Sequence, residues 1–502
     1  MLKLLKKSAK YSRCSVVFLL ALLAACTNHS LVTAPVASYA FSMLAPGTQG
    51  QTIIYARVVI DGLNASCPAF KGSDGSVMVT RLRPLNPVLP VASETNFKVT
   101  VCEAIMAEGI TYSDSVNGLV IQSVTLSAQT VQVFGDSGCK DCSGIQTSPE
   151  FDTLTSNASV LQKDLILHMG DSNYRGTSGP ILENSDPNKS IYAYDAGDSL
   201  ADPACSYTSS YASQNSQGSP RPDIWSNWQY DFFESAKELL PTAPWVFARG
   251  NHELCSRAGV GWFYFFGPGS ALPGAGMKQM QCPDQGQWSE QKEGMAPGAS
   301  GFIKMITPYR LSVGKAQLWV MDTANACDAY SGNELTGQYT DQYNSLAAEP
   351  GSDIWIMTHR PLWGYQKPSE VPASKMLQVA LANSTKTTLP SSVTLSLAGH
   401  MHTYESLSFL NNSDRPPQVV IGNSGVELSK HPKPDYFTNT VQVDNEAATG
   451  NTIGQYGYLS IQLGTNGAWT GVMNNTSKQV ILNCDSSNLN PPNKSSICKV
   501  VN

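Results

Sequence analysis

Five short apolar runs in this chain each stop at a residue that can hold a metal ion. Thr130-Val131-Gln132-Val133-Phe134 leads into Gly135-Asp136-Ser137-Gly138, and Leu165-Ile166-Leu167-His168-Met169 leads into Gly170-Asp171-Ser172-Asn173-Tyr174. Pro244-Trp245-Val246-Phe247-Ala248 leads into Arg249-Gly250-Asn251-His252-Glu253. Asp353-Ile354-Trp355-Ile356-Met357 ends in Thr358-His359, and Val393-Thr394-Leu395-Ser396-Leu397-Ala398 ends in Gly399-His400-Met401-His402. One Gly-Asp after a strand is an ordinary exit from a sheet. The repetition is what constrains the fold. Buried parallel strands read as continuous apolar runs, and the loops leaving their carboxyl ends are where sheets of this kind assemble sites. Carboxylate, amide oxygen and imidazole are donors for a hard or borderline metal. Of the seven histidines in the chain, four stand in these loops.

The ordered set Asp136-x-Gly138, Gly170-Asp171-x-x-Tyr174, Gly250-Asn251-His252-Glu253, Ile356-x-x-His359 and Gly399-His400-x-His402 resembles the calcineurin-like metallophosphoesterases, and within them the purple acid phosphatase branch. The superfamily's first motif is Asp-x-His. Here Gly138 stands in place of that histidine, and Tyr174 corresponds to the branch's replacement ligand. The resemblance spans roughly residues 131 to 405. It implies an α/β fold of four layers: a two-sheet β-sandwich flanked by helices, with a small N-terminal β domain.

The same resemblance implies a dinuclear centre. Asp171 bridges two metal ions. Asp136, Tyr174 and His402 complete one site, and Asn251, His359 and His400 complete the other. A phenolate is a hard anionic donor, so Tyr174 favours Fe(III) in the first site, with Zn, Fe or Mn(II) in the second. His252 is the expected general acid, and Glu253 the residue expected to hold its other ring nitrogen. The implied reaction is hydrolysis of a small phosphoester by a metal-bound hydroxide, with His252 protonating the leaving oxygen. One departure stands out. Family members often carry a further His after the Ile356-x-x-His359 motif, and Arg360-Pro361-Leu362-Trp363-Gly364-Tyr365-Gln366-Lys367 contains none.

Residues 1–25 hold Lys3, Lys6, Lys7, Lys10 and Arg13, no acid, and then an apolar run too short to span a bilayer. That reads as a secretory signal. It ends in Leu23-Ala24-Ala25-Cys26, which resembles the bacterial lipoprotein cleavage box, with Cys26 as the lipidated residue. The expected location is therefore the cell envelope, on the membrane through that lipid. Taking away the five basic residues moves the formal net charge from −6 to −11. An acidic chain without a basic run is a poor partner for nucleic acid.

Twelve cysteines, less Cys14 and Cys26, leave ten, an even number that suits disulfides in an exported protein. The local pairs expected are Cys67 with Cys102, Cys255 with Cys282, and Cys484 with Cys498. Cys139-Lys140-Asp141-Cys142 has redox spacing without a thioredoxin-like context, and reads as a structural bridge. Residues 26–51, uncharged, read as an irregular tether. Residues 52–129 carry short alternating runs broken by Gly, Pro and Asn, and read as a small β domain. The metallophosphoesterase domain is expected over 130–480 and a tail over 481–502.

Trp225, Trp228, Phe232, Phe233, Ala236, Leu239 and Leu240 recur at helical spacing before Pro241, which reads as a helix packed on a sheet. His168, inside its strand, reads as a core histidine, and His431 as a surface residue. Three functions fit the sequence: a phosphomonoesterase of the acid phosphatase type, favoured; a phosphodiesterase on the same scaffold, acting on lipid head groups or nucleotides; and a surface lipoprotein whose metal site is only structural. His252 argues against the last, because a structural site needs no unliganded imidazole beside it.

Overall fold

The computed structural model describes residues 38–85, 97–175, 223–253, 258–280, 305–328, 334–349, 351, 353–365, 373–411, 414–429, 440–464, 468–489 and 496–501. Cys26, His431 and the Cys255–Cys282 pairing lie outside them. All five apolar runs are strands, and their core positions are buried on both faces. Three of them, Thr130–Phe134, Leu165–His168 and Trp245–Phe247, pair in parallel within one sheet. The other two, Ile354–Met357 and Val393–Ala398, pair in parallel within a second.

Among the described residues the first sheet has eleven strands and the second eight, with a separate sheet of four. The two large sheets face each other, as the edge-on contact of Trp355 with Trp469 records. Odd and even residues of a strand point to opposite faces, so the neighbours of Trp355 look the other way. Ile354 and Ile356 pack with Tyr339, Tyr343 and Leu346 of the Glu334–Ala348 helix and with Met376, Leu377 and Ala380 of the Lys375–Ala382 helix. On the outer face of the eleven-stranded sheet, Phe151 of the Pro149–Ser159 helix meets Phe134 and His168. Phe232 meets Trp245 and Phe247 there. The architecture is thus helix, sheet, sheet, helix, the expected sandwich.

The amino-terminal part differs from its sequence reading. Ser38–Pro46, expected within an irregular tether, is a nine-residue strand with its seven central positions buried. It pairs in parallel with Trp245–Phe247 through Met43 and antiparallel with Thr52–Asp61. Ser38, Ser42 and Pro46 interrupt its apolar run, so it read as irregular although Tyr39, Phe41, Met43 and Leu44 are buried. The strands Thr52–Asp61 and Val99–Ile105 continue the same sheet, so the 52–129 region extends the sandwich instead of forming a body of its own. Only the small four-stranded sheet stands apart from the large ones. A fully buried cluster secures this extension: Glu103 pairs with Arg57 and Arg83, whose guanidiniums donate to the carbonyls of Phe263, Tyr264, Phe265 and Gly267. At the other end, Val480–Asp485 and Cys498–Val500, which fall mostly in the expected tail, are also strands of the large sheet.

The aromatic helix is broken in a way the spacing did not predict. Trp225–Trp228 is α-helical, Gln229–Phe233 is a π-turn, and Glu234–Ala236 returns to α. A π-turn inserts one residue into a helix and is frequent at functional sites. Here Phe232 and Phe233 keep to the core while Asp231, also fully buried, reaches the 174–175 loop. Disulfides join Cys67 to Cys102, Cys139 to Cys142 and Cys484 to Cys498, and Cys327 is also disulfide-bonded. No helix among the described residues is long and apolar enough to cross a membrane.

Candidate metal centre

The three parallel strands of one sheet and the two of the other end on the same side, and their loops meet in one cluster. Two groups of metal-ligand type form within it: Asp136, Asp171 and His402, and Asp171, His359 and His400. Asp171 belongs to both. Four of these residues take left-handed backbone, with φ of 53° at Asp136, 56° at Asp171, 74° at His400 and 45° at His402. Such a conformation costs a non-glycine residue about 1–3 kcal/mol and clusters at functional sites. It turns each chain sharply at the strand end, which brings carboxylates and imidazoles from separate strands together.

Around the first group the donors are crowded. Tyr174 Oη lies 2.9 Å from Asp136 Oδ1, 2.9 Å from Asp171 Oδ2 and 3.0 Å from His402 Nε2. His402 Nδ1 donates to the Glu427 carbonyl at 3.1 Å, so in the neutral ring Nε2 carries a lone pair. A phenol has one proton and here faces three acceptors. The Tyr174 ring fills the space Gly138 leaves: a Cβ on Gly138 would stand 2.8 Å from Tyr174 Cδ2. The glycine and the tyrosine of the motif are therefore a matched pair.

Around the second group the pattern repeats. His359 Nδ1 donates to the Met169 carbonyl at 2.8 Å, which turns Nε2 toward Asn251 Oδ1, 2.9 Å away, and Asp171 Oδ2, 3.2 Å away. His400 Nε2 is taken up by Asp328 and Arg360, while its buried Nδ1 has no hydrogen-bond partner among the described residues. Asp171 Oδ1 accepts the His252 backbone N–H at 2.9 Å, leaving Oδ2 as the atom common to both groups. An orphaned ring nitrogen on His400 and a carboxylate oxygen shared by two donor groups fit two cations.

The proton equilibria carry the same signature. Burial pushes the Asp136 carboxyl up to about 8, with the Asp171 charge adding to the effect. Burial also raises the Tyr174 phenol well above its ordinary value, helped by the Asp136 and Asp171 carboxylates. Burial opposes charge on His359, yet the Asp171 carboxylate beside it raises that imidazole to about 9. Burial lowers His402 to about 4. Without a cation, burial and mutual repulsion favour the protonated forms of Asp136 and Tyr174, and the Asp171 charge favours a proton on His359. A bound metal ion inverts that logic and deprotonates its ligands.

His252 lies beside the cluster and in neither group. It sits on the Asn251–Glu253 turn with its ring centroid 3.9 Å from that of Tyr174, and its Nε2 is 3.9 Å from Asp171 Oδ2. Glu253 has a different role from the one expected. Its carboxylate accepts the backbone N–H groups of Gly250 and Asp171, each at 2.9 Å, Ser172 at 2.6 Å and Asn173 at 3.2 Å. The tight turn aims Glu253 back at the 170–173 loop, so it fixes the bridging residue's backbone. Gly170 permits this approach, with φ of 95° and Gly250 N only 2.7 Å from where a Cβ would be.

Several supporting residues escaped the sequence reading. Asp231 accepts the N–H groups of Tyr174 and Arg175 at 3.0 and 3.1 Å and pairs with the Arg175 guanidinium, which also donates to Gly144 and Gln146 carbonyls. Arg249 pairs with Asp322, and Thr323 Oγ1 accepts the N–H groups of His359 and Arg360. His168, as expected, is a core histidine, with Nε2 2.8 Å from Ser137 Oγ. The single readable signal was charge in an apolar setting: Asp231 between Tyr230 and Phe232, and Arg360 directly after a candidate ligand.

No family model matches the chain, and no curated protein matches it. Among solved structures it is similar to the purple acid phosphatase PPD1 from yellow lupin (Lupinus luteus) seeds, at 16% identity and a TM-score of 0.47, over 89% of this chain and 74% of that one. At that degree of likeness the chemistry has to be read from the side chains themselves, which form a centre with places for two metal ions about one carboxylate.

Proposed function

We propose that this chain is an exported, lipid-anchored phosphoesterase with a dinuclear metal centre, and that it acts as an acid phosphatase on phosphate monoesters. The observation that carries the reading is the position of Asp171 Oδ2 between two donor sets, with His252 beside both and part of neither. Asp136, Tyr174 and His402 would hold one ion, and Asn251, His359 and His400 the other, with Asp171 common to the two. Two ions so held would supply an activated water and neutralise charge developing on phosphorus. The chain's own groups do the rest. Glu253 and Asp231 fix the loops that carry Asp171 and Tyr174. His252, its Nε2 close to the shared oxygen, can give a proton to the departing ester oxygen.

Parallel assays on a chromogenic monoester and a chromogenic diester, with metal-stripped and metal-restored protein, test this. Metal-dependent turnover of the monoester above the diester is expected. Preference for the diester would move the assignment to a phosphodiesterase, in line with the absence of histidine from residues 360–365. No turnover of either ester in restored protein would remove the enzymatic reading.

The metals and the anchor are separate parts of the proposal. Tyr174 ligating Fe(III) would give the oxidised protein a broad visible charge-transfer band, and Tyr174→Phe should lose the band while the fold survives. An iron-loaded wild type without the band would take Tyr174 off the metal. Lipid on Cys26 would be the attachment to the membrane. Fractionation of Cys26→Ser should find it in the soluble exported fraction; recovery with the membrane would point to another anchor.

A further inference from the structure

Behind the second donor group stands a buried carboxylate that the motif pattern does not include. Asp328 follows the Ala316–Val320 strand by eight residues, and its backbone is held from two sides. Its carbonyl accepts the Lys375 N–H at 2.8 Å at the start of the Lys375–Ala382 helix. The carbonyl before it, on Cys327, accepts from Ser374 Oγ at 2.8 Å. The carboxylate is aimed by this anchoring: Oδ1 meets Arg360 Nη1, and Oδ2 lies 3.1 Å from His400 Nε2. Asp328, Arg360 and His400 are all buried.

The proton on His400 has two alternatives, and the surroundings decide between them. A proton on Nε2 is donated to Asp328 Oδ2. A proton on Nδ1 would occupy a buried atom that has no hydrogen-bond partner among the described residues, and a buried donor left unmade costs about 1–3 kcal/mol. The first tautomer leaves the Nδ1 lone pair free for an ion that Asp171 and His359, the other members of its group, would share. Arg360 Nη1, 3.0 Å from His400 Nε2, is a donor only and by itself favours the opposite tautomer; its N–H is drawn to Asp328 Oδ1, and the Asp328 carboxylate and the unpartnered Nδ1 outweigh it. Arg360 does hold Asp328 in place, and Asp328 in turn neutralises a guanidinium that would otherwise face the metal site uncompensated.

We infer that Asp328 is the positioning residue of the second metal site: it fixes His400 in the tautomer and orientation that present Nδ1 to the ion. The inference rests on the dinuclear reading above. Outer partners of metal-binding histidines typically account for about 10–100-fold in metal affinity or activity. Zinc-loaded full-length protein, titrated with a competing chelator, should therefore lose one of its two ions at about 10–100-fold lower chelator strength in Asp328→Asn than in wild type. The other ion should be held as before, and Asp328→Glu should recover part of the loss.

A second measurement does not need a variant. In histidine-labelled, zinc-loaded wild type, nitrogen NMR should show His400 with a metal-bound Nδ1 and a protonated Nε2. Metal on Nε2, or Asp328→Asn holding both ions as tightly as wild type, overturns the inference and leaves the dinuclear reading standing. A wild type that binds fewer than two metal ions when offered both iron and zinc overturns that reading, and this inference with it.

Discussion

Asp171→Ala is expected to release both metal ions and to abolish hydrolysis. The substitution deletes the atom common to the two donor groups, Oδ2, which lies 2.9 Å from Tyr174 Oη and 3.2 Å from His359 Nε2. It also removes the negative charge that would separate two cations, so each ion loses a ligand and gains a repulsive neighbour. Charge stabilisation by a catalytic metal amounts to several kcal/mol, and each 1.36 kcal/mol is tenfold in rate, so a fall on the order of 10³-fold or more follows. The fold should survive, because the 171–173 backbone is held by Glu253 rather than by the Asp171 side chain. Elemental analysis decides: two ions still bound to a folded Asp171→Ala would end the bridging assignment. Asn251→Ala makes the contrast. It touches one group only, and excess metal should restore part of its activity.

His252→Ala should behave in the opposite way, keeping both ions and losing turnover that no added metal restores. Its imidazole is outside both donor groups, tilted against the Tyr174 ring with Nε2 3.9 Å from Asp171 Oδ2. General acid catalysis contributes typically about 10²–10⁴-fold, which sets the size of the loss. The loss should depend on the leaving group. An alkoxide needs the proton and should show the whole effect, whereas nitrophenolate leaves as a stable anion and should show much less. Rates on an alkyl and a nitrophenyl phosphate measure this. Equal losses on both would exclude His252 as the acid and leave it a part in binding phosphate or in structure.

The donor residues were legible because strand ends announce themselves locally. A run such as Leu165–His168, buried at all four positions, is mostly apolar, with His168 satisfied by Ser137, so Asp171 three residues later is conspicuous. Gly138 and Tyr174 were legible as a pair for a steric reason, the tyrosine ring occupying what a side chain at 138 would need. Residues that act through the backbone were not legible. Glu253 looked like a partner for its neighbour His252, and only the turn geometry sends it to four backbone N–H groups instead. Asp328 is 72 residues from His400, and nothing local to either ties them together. Asp231 depends on a π-turn that helical periodicity cannot encode. The Ser38–Pro46 strand was hidden because Ser38, Ser42 and Pro46 interrupt its apolar run, and its burial comes from pairing with Trp245–Phe247 and Thr52–Asp61.

Anomalous scattering from crystals of the iron- and zinc-loaded protein, collected at both metal edges, tests the central claim most directly. Two peaks are predicted, about 3.5–4 Å apart as in other two-metal sites, with Asp171 Oδ2 in contact with both. One should lie beside Tyr174 Oη and His402 Nε2 and the other beside Asn251 Oδ1 and His359 Nε2. A single peak, or two peaks joined by some residue other than Asp171, would contradict the account.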